Sequence, residues 1–146
     1  MALVTKEQVE QAYQALASTD KQRIRQYWAD DMRWLAPGHN ALSGWKNTLD
    51  EFLTFMSTVA RLSGNTFRMN VQVTLTGEDY SIDLNHNVGY RAGHANDGEV
   101  PYTKLDIDVI HLLHWRDGKV IEGRGAIFGD GTTQYDQFWW GGRSEA

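Results

Sequence analysis

His111 is the residue whose neighbours best suit it for chemistry. From Leu105 to Trp115 every second side chain is apolar, as Leu105, Ile107, Val109, Leu113 and Trp115, and His111 occupies one place in that row. A strand sends alternate side chains to one face. The row therefore sets an imidazole, which exchanges a proton near neutrality, among aliphatic and aromatic groups as a general acid or base. The competing reading is a core histidine satisfied by a polar neighbour.

A second cluster stands on the segment Tyr80 to Arg91, where Asp83, Asn85 and Asn87 share one face and Leu84, His86 and Val88 share the other. A carboxylate and amides beside an imidazole can orient it and bind a developing oxyanion. If the apolar face points inward instead, as is usual for a half-solvated sheet, His86 becomes the working histidine, because a slip of one residue exchanges the faces.

Metal chemistry has little support. The five histidines, His39, His86, His94, His111 and His114, contain no i, i+4 pair, and the chain has no cysteine. No phosphate-cradling loop of the Walker type and no nucleophile elbow occurs, so chemistry without metal or cofactor is expected.

These residues need elements to hold them. Val9, Ala12, Tyr13 and Leu16 are spaced as one helical face behind a Thr5 cap, and Asp20 can cap a second helix in which Ile24, Tyr27 and Trp28 recur, ending near Asp30 and Asp31. Met32 to Ala36 reads as a short strand stopped by Pro37-Gly38. A third helix is expected from about Ser43 or Asn47 to Leu62, closed by Gly64. The period then becomes two: Phe67 to Thr76, Tyr80 to Arg91, Lys104 to Arg116 and Val120 to Phe128 read as a four-strand antiparallel meander, with Asp117-Gly118 as a hairpin turn. The expected class is α+β, three N-terminal helices on a curved, mainly antiparallel sheet.

The 146 residues are 41% hydrophobic and 23% charged, the size of a single domain, with a tail from about 130 carrying Tyr135, Phe138, Trp139 and Trp140. A net charge of -5 is the wrong sign for binding phosphates, so neither nucleic acid nor an anionic membrane is an expected partner. Without disulfides, a membrane-length apolar run or the layout of a signal peptide, a soluble cytoplasmic protein is expected. Six Trp, six Tyr and five Phe could fill a core, line a cavity or cover an interface.

The order of elements, together with Tyr27-Trp28-Ala29-Asp30-Asp31, Pro37-Gly38 followed by Ser43-Gly44, Trp115-Arg116-Asp117-Gly118-Lys119-Val120 and Tyr135-Asp136-Gln137-Phe138-Trp139, resembles the nuclear-transport-factor-2-like superfamily and within it the SnoaL-like polyketide cyclases. The resemblance implies a cone-shaped fold with a pocket between helices and sheet, but not one chemistry, because that fold hosts isomerases, cyclases, dehydratases, epoxide hydrolases and binders. The ketosteroid-isomerase aspartate before the proline corresponds to Ala36, and the second acid of those enzymes corresponds to His111. The two carboxylates of the limonene epoxide hydrolases correspond to Asn85 and Gly125.

By family register the face of Asp83, Asn85 and Asn87 looks into the pocket beside His111. Val109 lies next to His111 in the same row. Gly123 and Gly125 fall where relatives carry larger pocket residues, so their missing side chains would enlarge the cavity, or else mark a bulge that curves the sheet. Tyr13, Trp28, Trp34 and His39 lie near elements that roof the pocket, although each ring could equally be plain core.

The resulting expectation is a pocket enzyme acting by proton transfer on a hydrophobic cyclic or polyketide-like molecule, with His111, Asp83 and Asn85 as its working groups. Its rival is a binder or carrier that keeps the cavity without chemistry. A third reading, an assembly module, would be favoured by a cavity smaller than roughly 300 Å³. The outer face of the long strand, with Ile110 and Leu112 between Asp106, Asp108, His114 and Arg116, suggests a homodimer interface with an apolar centre and a polar rim, extended by Leu84, His86 and Val88.

Overall fold

The computed structural model describes residues 3–93 and 103–140. The first element is α1 (Lys6–Ser18), whose first turn is closed by a capping box: Thr5 Oγ1 accepts from the Gln8 N–H at 3.1 Å and Gln8 Oε1 accepts from the Thr5 N–H at 2.8 Å. Its buried face is Val9, Ala12 and Ala15.

Asp20 caps α2 (Lys21–Ile24), which lasts one turn rather than continuing to Asp30 and Asp31. Tyr27 and Trp28 are not helical. Trp28 opens β1 (Trp28–Ala36), in which Trp28, Met32, Trp34 and Ala36 are buried. Two tertiary bonds hold the chain extended here: Trp28 Nε1 donates to the Ala12 carbonyl at 3.0 Å, and the Val120 N–H donates to the Tyr27 carbonyl at 2.8 Å. Partners distant in sequence override a helical spacing of three aromatic and aliphatic residues.

After the Pro37-Gly38 turn comes β2 (Gly44–Lys46), a short strand where the sequence suggested the start of a helix. Helix α3 (Leu49–Leu62) begins only at its Thr48 cap, whose hydroxyl accepts from the Glu51 N–H at 3.1 Å. The alternating segments then form the expected meander of β3 (Arg68–Thr76), β4 (Tyr80–Tyr90), β5 (Lys104–Arg116) and β6 (Lys119–Ile127). The last hairpin turns on Asp117 and Gly118, both at positive φ, the geometry that matches strand twist. The tail forms a fourth helix, α4 (Gly131–Trp140).

The six strands make one mixed sheet in the order β2-β1-β6-β5-β4-β3, antiparallel except for β1 against β6. It is an α+β fold with the helices on one side of a curved, open sheet. Two apolar clusters fill that side. One joins α1, β1 and α3 through Ala12, Trp28, Trp34 and Phe52. The other joins α4 to β5 and α3 through Phe138, Trp139, Leu105, Ile107 and Val59. No helix among the described residues is long and apolar enough to cross a membrane.

Candidate functional site

The register of the meander decides which groups meet. Asp83 pairs with His111 across β4 and β5, Asn85 with Val109 and Asn87 with Ile107. Asp83 and Asn85 are fully buried, and Asn87 and His111 are nearly so, which places the polar face of β4 on the helix side. His86 lies on the opposite face, between Asp106 and Asp108.

Around Asp83 the donors converge. Tyr13 Oη donates to Oδ2 at 2.5 Å, Asn85 Nδ2 donates to Oδ1 at 2.7 Å, and His111 Nδ1 lies 3.3 Å from Oδ1. His111 Nδ1 is also 3.2 Å from Tyr13 Oη and 3.2 Å from Asn85 Nδ2. The proton positions follow from these neighbours. Tyr13 has spent its single hydrogen on the carboxylate, so toward His111 its oxygen can only accept. A hydrogen on Nδ1 thus finds two acceptors, Asp83 Oδ1 and Tyr13 Oη, against one competing donor, Asn85 Nδ2, which already gives a hydrogen to Asp83. That tautomer leaves the Nε2 lone pair unprotonated, and no described residue bonds to it. Burial, then the Asp83 charge and the bond to it, raise the Tyr13 pKa well above the ordinary phenol value. Tyr13 therefore stays a neutral donor.

His111 faces a cavity of about 80 Å³. At about 10–15 Å³ per water this holds roughly half a dozen waters, the space of one small ring at most. It falls short of the 300 Å³ that would hold a drug-sized ligand. The walls are largely aromatic: Trp34, Phe52, Phe55, Phe67, Tyr135 and Trp139 contribute, with Tyr13, Val109, Asn87 and His111 among the remainder. Trp34 stands edge-on to the His111 ring at 4.9 Å between centroids and stacks on Phe52 at 4.8 Å.

Of the residues singled out in the sequence, Tyr13, Trp34, Asn87, Val109 and His111 reach the cavity. Asp83 and Asn85 stand behind His111 and hold it. Trp28 is plain core: wholly buried, it bonds to Ala12 and does not reach the cavity. His39 does not line it either. Its backbone N–H donates to Asp136 Oδ1 at 2.8 Å, and Asn40 Nδ2 donates to the same oxygen at 2.8 Å, which ties the loop after β1 to α4.

Gly123 and Gly125 do not enlarge the cavity, because other side chains fill the space they leave. A Cβ on Gly123 would stand 2.4 Å from the Trp34 ring, and one on Gly125 would stand 3.1 Å from Pro37 and 3.6 Å from His111. The bare backbone of β6 instead lets Trp34 and Pro37 close over the strand. Nor do they form a bulge, since both pair regularly with β5 and the irregularity lies at His114 and Trp115.

The walls that sequence reasoning missed come from α3, β3 and α4. The i, i+4 spacing of Tyr135 and Trp139 was the available signal for α4. Phe55 and Met69 gave none separable from core. No group of three or more His, Cys, Asp or Glu among the described residues could hold a metal, and His94 lies outside them.

Residues 9–123 match the family described as SnoaL-like domain. The chain belongs to that SnoaL-like family. Solved structures agree on the fold. Bal32a, from a soil-derived mobile gene cassette, superposes on 91% of this SnoaL-like chain and 94% of its own, with a TM-score of 0.77 at 22% identity. A nuclear-transport-factor-2-like protein from Burkholderia xenovorans covers 89% and 93%, with a TM-score of 0.70 at 13% identity. TerC, co-crystallised with polyporic acid, covers 84% and 89%, with a TM-score of 0.66 at 18% identity. No curated protein matches the sequence.

Proposed function

We propose that this SnoaL-like protein is a cofactor-independent enzyme that moves a proton on a hydrophobic cyclic or polyketide-like substrate, in a cyclisation, isomerisation or dehydration. One observation carries the reading: His111 is held through Nδ1 by a buried carboxylate and lines an aromatic cavity. In this reading Nε2 accepts the proton from an acidic C–H. Asp83 faces the imidazolium that forms, and Tyr13 and Asn85 keep that carboxylate in place. The new positive charge stands beside the enolate-like oxygen it has created, in a water-poor site where such attraction is strong.

The cavity volume limits the reacting part of the substrate to a single ring. A cavity below roughly 300 Å³ also counts toward the third reading, an assembly module, and polyporic acid in TerC belongs to that protein alone. We further place the protein in the cytoplasm as a homodimer joined through the outer sheet face. Val73, Leu84 and Ile110 form one row there, and Leu75, Ile82 and Leu112 the next. His111→Ala, assayed on a panel of enolisable ketones and polyketide intermediates, tests the catalytic role. Turnover should fall at least about 100-fold. Unchanged turnover on any accepted substrate ends the role, and a ligand recovered unmodified after long incubation with the wild type selects the binder.

A further inference from the structure

Asn87 has no task inside the protein. Its side chain is 5% exposed and lines the cavity, its Oδ1 is buried without a partner, and no described residue bonds to its Nδ2. Its cross-strand neighbours on the same face are Met69 and Ile107, neither of which can answer an amide. Because both ends of the amide are free, the argument is the same whichever way it is flipped. A buried amide left unpaired destabilises the fold, and leucine, bulkier but of the same branched outline, would carry no such cost.

Asn85, two residues earlier, is different: it serves Asp83 and touches His111. Asn87 cannot share that role. It stands four residues along β4 from Asp83, the partner of His111, a distance of about 13 Å along the strand. An oxygen created next to the carbon that Nε2 deprotonates lies out of its reach.

We infer that Asn87 is the specificity-determining residue of the cavity, requiring of its ligand a hydroxyl or similar donor on the edge remote from His111. This inference rests on the cavity reading given above but not on turnover. A hydroxyl fits both free atoms, donating to Oδ1 and accepting from Nδ2. A plain hydrocarbon of the same outline leaves the amide unpaired and is rejected, the asymmetry by which buried polar groups discriminate.

The test compares binding of phenol and benzene by the wild type, Asn87→Leu and His111→Leu, together with the melting temperature of each unliganded protein. The wild type should favour phenol, and Asn87→Leu should favour benzene, a swing of about tenfold or more. His111→Leu should keep the wild-type preference. Asn87→Leu should also melt higher, by about 3 °C, because the orphan amide is gone. A preference lost in His111→Leu and kept in Asn87→Leu overturns the inference, as does a lower melting temperature for Asn87→Leu, which would mark a structural asparagine. Failure of both probes to bind the wild type overturns it together with the cavity reading. Discrimination that survives while His111→Ala leaves turnover unchanged upholds Asn87 and removes only the catalytic role.

Discussion

Tyr13 donates its phenolic hydrogen to Asp83 at 2.5 Å across seventy positions of sequence, and the same oxygen stands 3.2 Å from His111 Nδ1. One helix thus supplies a donor to a carboxylate and an acceptor to an imidazole on two different strands. Tyr13→Phe removes both with little change of volume. It should cost about 1–3 kcal/mol in urea denaturation, the range for a buried acceptor that loses its partner, and should lower kcat more than it raises KM, because His111 loses a restraint. A loss of stability with kcat untouched would separate Tyr13 from the working cluster.

Gly123→Ala tests the filling of the β6 groove. The added Cβ would meet the Trp34 ring at 2.4 Å, so the indole must tilt away from the strand, toward Phe52 and the cavity. Overpacking of this kind costs about 1–3 kcal/mol. Thermal unfolding should show that loss, and ligand affinity should fall as well. If affinity stays intact, Trp34 has another way to move.

His86 gives the stability a pH dependence unconnected with the cavity. Its hydrogen bond to Asp108 is the largest cause raising its pKa, with the Asp106 and Asp108 charges adding to it. The folded value lies above the unfolded one, so the stabilisation is fully present below the ordinary histidine pKa of about 6.5 and is lost as pH rises through the raised value. His86→Gln should therefore lower the melting temperature at pH 6 and leave it nearly unchanged at pH 9. The effect should be small, since the ring is partly solvated. Equal losses at both pH values would contradict the assignment.

Leu112 stands near the middle of the outer apolar rows at 36% exposure, with Ile82 at 38% beside it. Charge at the centre of a two-fold interface is introduced twice and left without a partner. Leu112→Arg should convert the proposed dimer to a monomer in sedimentation at micromolar concentration while leaving the fold intact by circular dichroism. A wild type that stays monomeric as concentration rises would remove the dimer altogether.

The period of two in Tyr80 to Arg91 and Lys104 to Arg116 was enough to put Asp83, Asn85 and Asn87 on one face and His111 on another row. Alternation is a local property of an extended chain and survives whatever packs on it. The caps at Thr5 and Asp20 and the Asp117-Gly118 turn were legible for the same reason: each is satisfied within a few residues. The tertiary structure alone decided the rest. Trp28 left its helical spacing because Ala12 and Val120 offered bonds to its indole and to the neighbouring backbone. Gly123 gained its meaning from Trp34, and Asp83 gained its third donor from Tyr13 on the first helix. Those contacts join residues far apart along the chain, and their free energy comes from burial and pairing that exist only once the sheet has curved around the helices.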